Sequence, residues 1–144
     1  MSKAFTKEDA DIPEAPMRKR GVPVPVPNIV TPAGLAAIRA EHDELGRTGG
    51  DPDRMRELAD HLATAQTVEP DRSTVGVGAR VTVEDEDGKR TTYHIVGAIE
   101  ADAKRGLVSW QSPIAQALWG LRVGDGVTLP RSEGEIVAID YDPA

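Results

Sequence analysis

The chain has no cysteine, which excludes disulfide staples and thiolate chemistry and fits a reducing compartment. Aromatic residues are scarce, with one Phe, two Trp and two Tyr among 144 residues. Any core must therefore be aliphatic and modest, and no basic and aromatic platform exists on which nucleic-acid bases would stack. Nowhere do about 18 apolar residues run together, and the opening Met1-Ser2-Lys3-Ala4-Phe5 lacks the apolar stretch of a secretory signal. The expectation is a soluble cytoplasmic protein with no membrane partner. Positive charge is also in deficit: the net charge is −7, which argues against an independent grip on a phosphate backbone. Nucleic acid would be met only indirectly. A partner with a basic funnel or pore suits this balance, and so does an ordinary acidic surface.

Familiar catalytic signatures are missing too. There is no Gly-rich phosphate loop and no Gly-x-Ser-x-Gly. The three histidines, His42, His61 and His94, show no metal spacing, and each reads as a structural histidine rather than a ligand. The expectation is that no metal is held by this chain alone and that no cofactor is bound.

What is present falls into successive regions. Residues 1–30 read as a disordered Pro-rich tail: mixed charge, then Met17-Arg18-Lys19-Arg20, then an alternating Val-Pro run from Val22 to Pro27. Each proline disfavours helix in the residue before it, so this run reads as an extended spacer, with docking to a proline-reading groove as the other reading. Residues 31–69 read as a short antiparallel helical hairpin. Thr31 caps and Pro32 starts the first helix, in which Leu35, Ile38, His42 and Leu45 recur at helical spacing. Gly46 to Gly50 interrupts, and Met55, Leu58, Leu62 and Ala65 repeat the pattern. Arms of about 15 residues are about 22 Å long. Residues 70–75 read as a linker.

From residue 76 to 144 the pattern is strand-like. Strands are expected at Ala79 to Glu84, Arg90 to Gly97, Leu107 to Trp110, Gly126 to Leu129 and Gly134 to Tyr141. Asp85-Glu86-Asp87-Gly88 makes a hairpin turn. Ser112-Pro113 starts a short helix that Gly120 ends. The fold class is α+β: a short helical hairpin followed by an antiparallel sheet of about five strands with one short helix packed on it.

The stretch Leu107 to Gly126 also carries a family resemblance. A strand ending in Ser112-Pro113, a short Ala/Leu helix and Gly120-x-x-Val123-Gly124-Asp125 resembles the C-terminal domain of the GreA/GreB transcript cleavage factors. The likeness continues in Tyr93-x-Ile95-Val96-Gly97-x-x-Glu100-x-Asp102 and in Glu135-Ile136-x-x-Ile139-x-Tyr141. The resemblance implies an FKBP-like sheet domain that docks on bacterial RNA polymerase beside its secondary channel, and a coiled-coil finger that enters it. It carries the docking role onto Ser112 and Pro113, with Gln111 and Ile114 beside them. It also implies tip acids that help position Mg²⁺ in the polymerase's own active site, since Mg²⁺ takes hard oxygen ligands.

At the tip the chain departs from the family. It has only Gly49-Gly50-Asp51-Pro52-Asp53 between short arms, without the Ser-Glu-Asn continuation. Asp51 and Asp53 are the candidates for the tip acids, and helix capping is their plainer reading. The short arms resemble those of the regulators of nucleoside diphosphate kinase. The expectation is thus a non-enzymatic, polymerase-binding elongation regulator without strong cleavage stimulation. The alternative is a cleavage factor using Asp51 and Asp53. A prolyl isomerase, suggested by the FKBP-like fold alone, lacks the aromatic residues for its pocket.

Overall fold

The computed structural model describes residues 21–142. Most of the expected tail, residues 1–20, lies outside the described residues. Two helices come first. Helix α1 spans Pro32–Thr48, with Thr31 as N-cap accepting from the Gly34 N–H, and α2 spans Pro52–Thr64, with Asp51 as N-cap accepting from the Arg54 N–H. At 17 and 13 residues they are about 25 and 20 Å long. Gly49 ends α1 at φ 72°, a left-handed conformation that glycine adopts without a Cβ penalty.

The five strands are β1 (Arg80–Asp85), β2 (Arg90–Val96), β3 (Leu107–Ser109), β4 (Gly126–Thr128) and β5 (Glu133–Asp140). They form one sheet in the order β3-β2-β1-β5-β4. The single short helix of this part, α3 (Pro113–Leu118), starts on Ser112, whose hydroxyl accepts from the Ala115 N–H at 3.2 Å. The core gathers Val81, Val83, Ile95 and Ile136 from the sheet with Ala115 and Leu118 from α3, all buried. It is aliphatic, as the shortage of aromatics requires.

The sheet is not wholly antiparallel. β1 pairs antiparallel with both β2 and β5, and β4 with β5, but β3 runs parallel to β2. Two 3₁₀ turns, Ala98–Glu100 and Ala103–Arg105, carry the chain back after β2, so β3 enters in the same direction as its neighbour. A parallel pair needs such a crossover. The expected antiparallel sheet is corrected at this one strand.

A second core lies in the finger and has an unexpected composition. Ile38 of α1 and Leu58 of α2 bury together with Val30, which precedes α1, and Ile99, which follows β2. Gly21–Val30 is seated on the fold and departs from the expected free tail. The Val30 N–H donates to the Gln66 carbonyl at 2.9 Å, and the Gln66 N–H donates to the Asn28 carbonyl at 3.0 Å. Asn28 and Val30 are 2% and 1% exposed. The most buried line on α2 accordingly runs Arg54, Leu58, His61, one flank over from the expected Met55, Leu58, Leu62 line, because α2 is covered on two sides. Val75, at the end of the expected linker, is also buried, and its N–H donates to the Leu121 carbonyl.

Candidate functional site

The residues singled out for function lie at opposite ends of the molecule's sequence logic: a helix tip and a helix start. At the tip, Asp51 Oδ1 accepts from the Arg54 N–H at 3.1 Å, which satisfies one of the orphan donors of α2. Asp53 lies in the first turn of α2, where a carboxylate favours the positive helix end. Its side chain is 88% exposed and stands 3.6 Å from Arg56. Among the described residues, no group of three or more His, Asp or Glu side chains is arranged to hold a metal ion.

Around α3 the structure brings Gln111, Ser112, Pro113 and Ile114 together by sequence adjacency. Gln111 and Pro113 are exposed, whereas Ser112 and Ile114 are half-buried, Ile114 packing on the sheet core. Reading the sequence missed a neighbour. Trp119, at the end of α3, is 42% exposed and tilts against Trp110 with ring centroids 6.1 Å apart. Gln116 Nε2 donates to the Trp110 carbonyl at 2.7 Å, which ties the end of the β3 segment to α3. The result is an exposed apolar ring at the end of α3, packed on Trp110. The turn Val123-Gly124-Asp125 follows, with Gly124 at φ 96° donating its N–H to the Ile136 carbonyl. Val123 is 56% exposed on that turn.

Two buried polar groups, Arg54 and His61, set the finger's geometry; the role of Arg54 was not anticipated. Arg54, 3% exposed, donates from Nε to Glu41 Oε2 at 2.9 Å and from a terminal nitrogen to Glu57 Oε1 at 2.8 Å. It thereby cross-links α1 to α2. Glu57 in turn receives the Gly21 and Val22 N–H groups on Oε2, at 2.5 and 3.1 Å. Burial by itself would push the Glu57 carboxyl up, but the Arg54 guanidinium and these two N–H groups outweigh it and hold the group below the usual glutamate range. The visible signal was Glu57 one turn from Arg54 on α2, which reads as surface charge until Glu41 of α1 and the segment Gly21–Val30, a strap along α2, are seen to cover it.

His61 is 1% exposed. Its Nε2 lies 2.9 Å from the Val22 carbonyl, and a carbonyl only accepts, so Nε2 carries the proton. His94 is a different case. Burial first and the Arg80 guanidinium second hold its imidazole below the ordinary range, with Asp142 pulling the other way. His42 stays half-exposed beside Asp43, so the expected finger seam is open at that point.

Glu100 joins the two cores. Its Oε2 accepts from the Thr31 and Gly97 N–H groups at 2.9 and 2.8 Å, and its Oε1 from the Thr31 hydroxyl at 2.5 Å. The turn after β2 thus grips the start of α1. A cleft of about 310 Å³ runs beside this junction between α1 and the 99–105 turn, reaching Glu41 and Arg54.

Fold and site together define an α+β protein that presents a two-helix finger and, on its sheet part, an apolar surface around a capped short helix. The family description "Transcription elongation factor, GreA/GreB, C-term" matches residues 69–141. Transcription elongation factor GreA of Verminephrobacter eiseniae is 35% identical over 133 residues, covering 80% of this chain and 83% of its own. That of Alkalilimnicola ehrlichii is 47% identical over 97 residues, and the match spans 61% of each chain. Among solved structures, GreA factor homolog 1 of Thermus thermophilus is 28% identical with a TM-score of 0.44, covering 75% of this chain and 86% of that one. The chain belongs to the GreA/GreB family of transcription elongation factors.

Proposed function

We propose that the chain regulates transcription elongation by binding bacterial RNA polymerase at its secondary channel, with the finger entering the channel and the face around Gln111, Ser112, Pro113 and Ile114 docking outside it. In this reading residues 76–144 form an FKBP-like docking domain and residues 31–69 a short coiled coil, linked through 70–75. The protein is no enzyme. Any RNA cut in its presence is made by the polymerase's own active site and metal, and the factor acts in the cytoplasm, where polymerase is.

The observation that carries the regulatory reading is the tip. Asp51 is engaged as the cap of α2, and the arms are only 17 and 13 residues. A finger about 25 Å long with its leading acid committed to a helix end is built to occupy a channel rather than to deliver a metal. Trp119 and Val123 add exposed apolar area at the end of α3 and on the turn after it, which favours a protein partner over a polyanion.

One observation favours the second reading, a cleavage factor using Asp51 and Asp53: the Asp53 carboxylate is 88% exposed at the tip. RNA cleavage in a backtracked elongation complex with Mg²⁺ separates the two. With polymerase binding confirmed in the same preparation, the expected result is no cleavage above background by the wild type or by the Asp51→Ala, Asp53→Ala double variant. Cleavage that the double variant loses would establish the tip acids instead. Pro113→Ala is expected to weaken polymerase binding severalfold. Core polymerase that retains neither form would remove the reading altogether.

A further inference from the structure

We propose that the outward edge of the Gly21–Val30 strap, formed by Pro23, Val26 and Pro27, is a further contact surface for the partner that receives the finger, meeting an apolar part of that partner's channel wall. The inference rests on the channel-binding reading and adds to it a surface that no residue of the docking face supplies.

The strap is held at both ends. Near the middle of α2, Glu57 accepts from the Gly21 and Val22 N–H groups and His61 Nε2 donates to the Val22 carbonyl. Near the end of α2, Asn28 Nδ2 donates to the His61 carbonyl at 2.9 Å and to Thr64 Oγ1 at 3.2 Å. Ile29 bridges to Gln66. Between these anchors the chain needs only to span, and polar residues would serve. Instead it places Val26 at 91% exposure, far above the other exposed large hydrophobics, with Pro23 and Pro27 exposed on the same segment.

Such an edge is suited to recognition. Prolines fix φ and carry no N–H, so the ridge is stiff and offers few donors that would need partners in an apolar contact. Because its ends are already tied down, most of the ordering cost that a loose peptide meets on binding falls on folding instead. Val26 and the two proline rings present apolar surface, whose complement is an apolar wall. The occupant follows from position. From Gln66 back to Glu57 the strap runs along α2 itself, over about 13 Å of its length. Any cavity that admits the finger must admit the strap with it, so the wall facing α2 is the surface Val26 meets.

Two measurements test this on the full chain with purified core polymerase. A photoreactive benzoylphenylalanine in place of Val26 is expected to crosslink to the polymerase, and Val26→Asp is expected to weaken binding about tenfold. Val26 is so exposed that the aspartate variant should keep the wild-type unfolding midpoint, which a thermal melt checks. Wild-type binding with no crosslink from position 26 and an unchanged affinity for Val26→Asp overturns the proposal and leaves the channel reading standing. No binding by the wild type overturns both.

Discussion

Arg54→Met is expected to destabilise the finger by about 3 kcal/mol, because removing one partner of a buried ion pair leaves the others uncompensated. Arg54 is 3% exposed, and Glu41 and Glu57 are each 17% exposed on their side chains, so two carboxylates would face one another with little water to screen them. Urea unfolding followed by helical circular dichroism reads the effect. Adding Glu41→Gln and Glu57→Gln to Arg54→Met should recover a good part of the loss, since the cost lies in stranded charge rather than in lost packing. A single variant as stable as the wild type would mean that the cluster is a solvated surface feature.

The same cluster predicts a pH dependence. Glu57 is held below its ordinary range in the folded chain, so its contribution is fully present above the unfolded value of about 4.3. It is lost as pH falls through the lower folded value. Wild-type stability should therefore drop on acidification below about pH 4. In Arg54→Met, where the guanidinium that favours the ionised form is gone, that drop should be shallower.

The contrast between this cluster and the sheet shows which parts of the molecule the residues disclose by themselves. Strand limits expected from alternation and turn residues lie within about one residue of those found, because the signals are local. Gly88 has positive φ in the β1–β2 turn, and Asp85 Oδ1 there accepts from the Asp87 and Lys89 N–H groups. The three helix starts, Thr31-Pro32, Asp51-Pro52 and Ser112-Pro113, were legible for the same reason. What stayed hidden depends on residues far apart. Arg54 reads as surface until Glu41 is brought across from α1, and His61 reads as flank until Val22 covers it 39 positions earlier. The parallel β3 escaped because the 3₁₀ turns that reverse the chain carry no strong periodicity. At the docking face, Ser112 and Pro113 were found from their local cap, whereas Trp119 stands out only once its ring is seen exposed beside Trp110.

Gly34→Ala should destabilise the chain by about 2 kcal/mol, because it displaces a carboxylate held by three hydrogen bonds, although alanine in place of glycine inside a helix ordinarily stabilises by about 1 kcal/mol. The sign reverses because a Cβ at position 34 would stand 2.1 Å from the Glu100 carboxyl carbon and Oε1. Glu100 is a flexible side chain, but three hydrogen bonds hold it where it is, two from the Thr31 and Gly97 N–H groups and one from the Thr31 hydroxyl. The new methyl group can be accommodated only by breaking that grip. Glu100→Ala alone is expected to cost about 1–3 kcal/mol through the unpaired donors. In the double variant the methyl group at 34 occupies space the carboxylate has left, so the two costs should fall short of adding by about 1 kcal/mol or more. A double-mutant cycle in urea measures this coupling, and a Gly34→Ala variant more stable than wild type would disprove the contact. The junction has a functional side as well. Thr31 caps α1 and Glu100 belongs to the turn after β2, so this carboxylate fixes how the finger leaves the sheet. In the channel-binding reading a finger so aimed enters only at one angle, and both single variants should bind polymerase less tightly while leaving the surface around Pro113 intact.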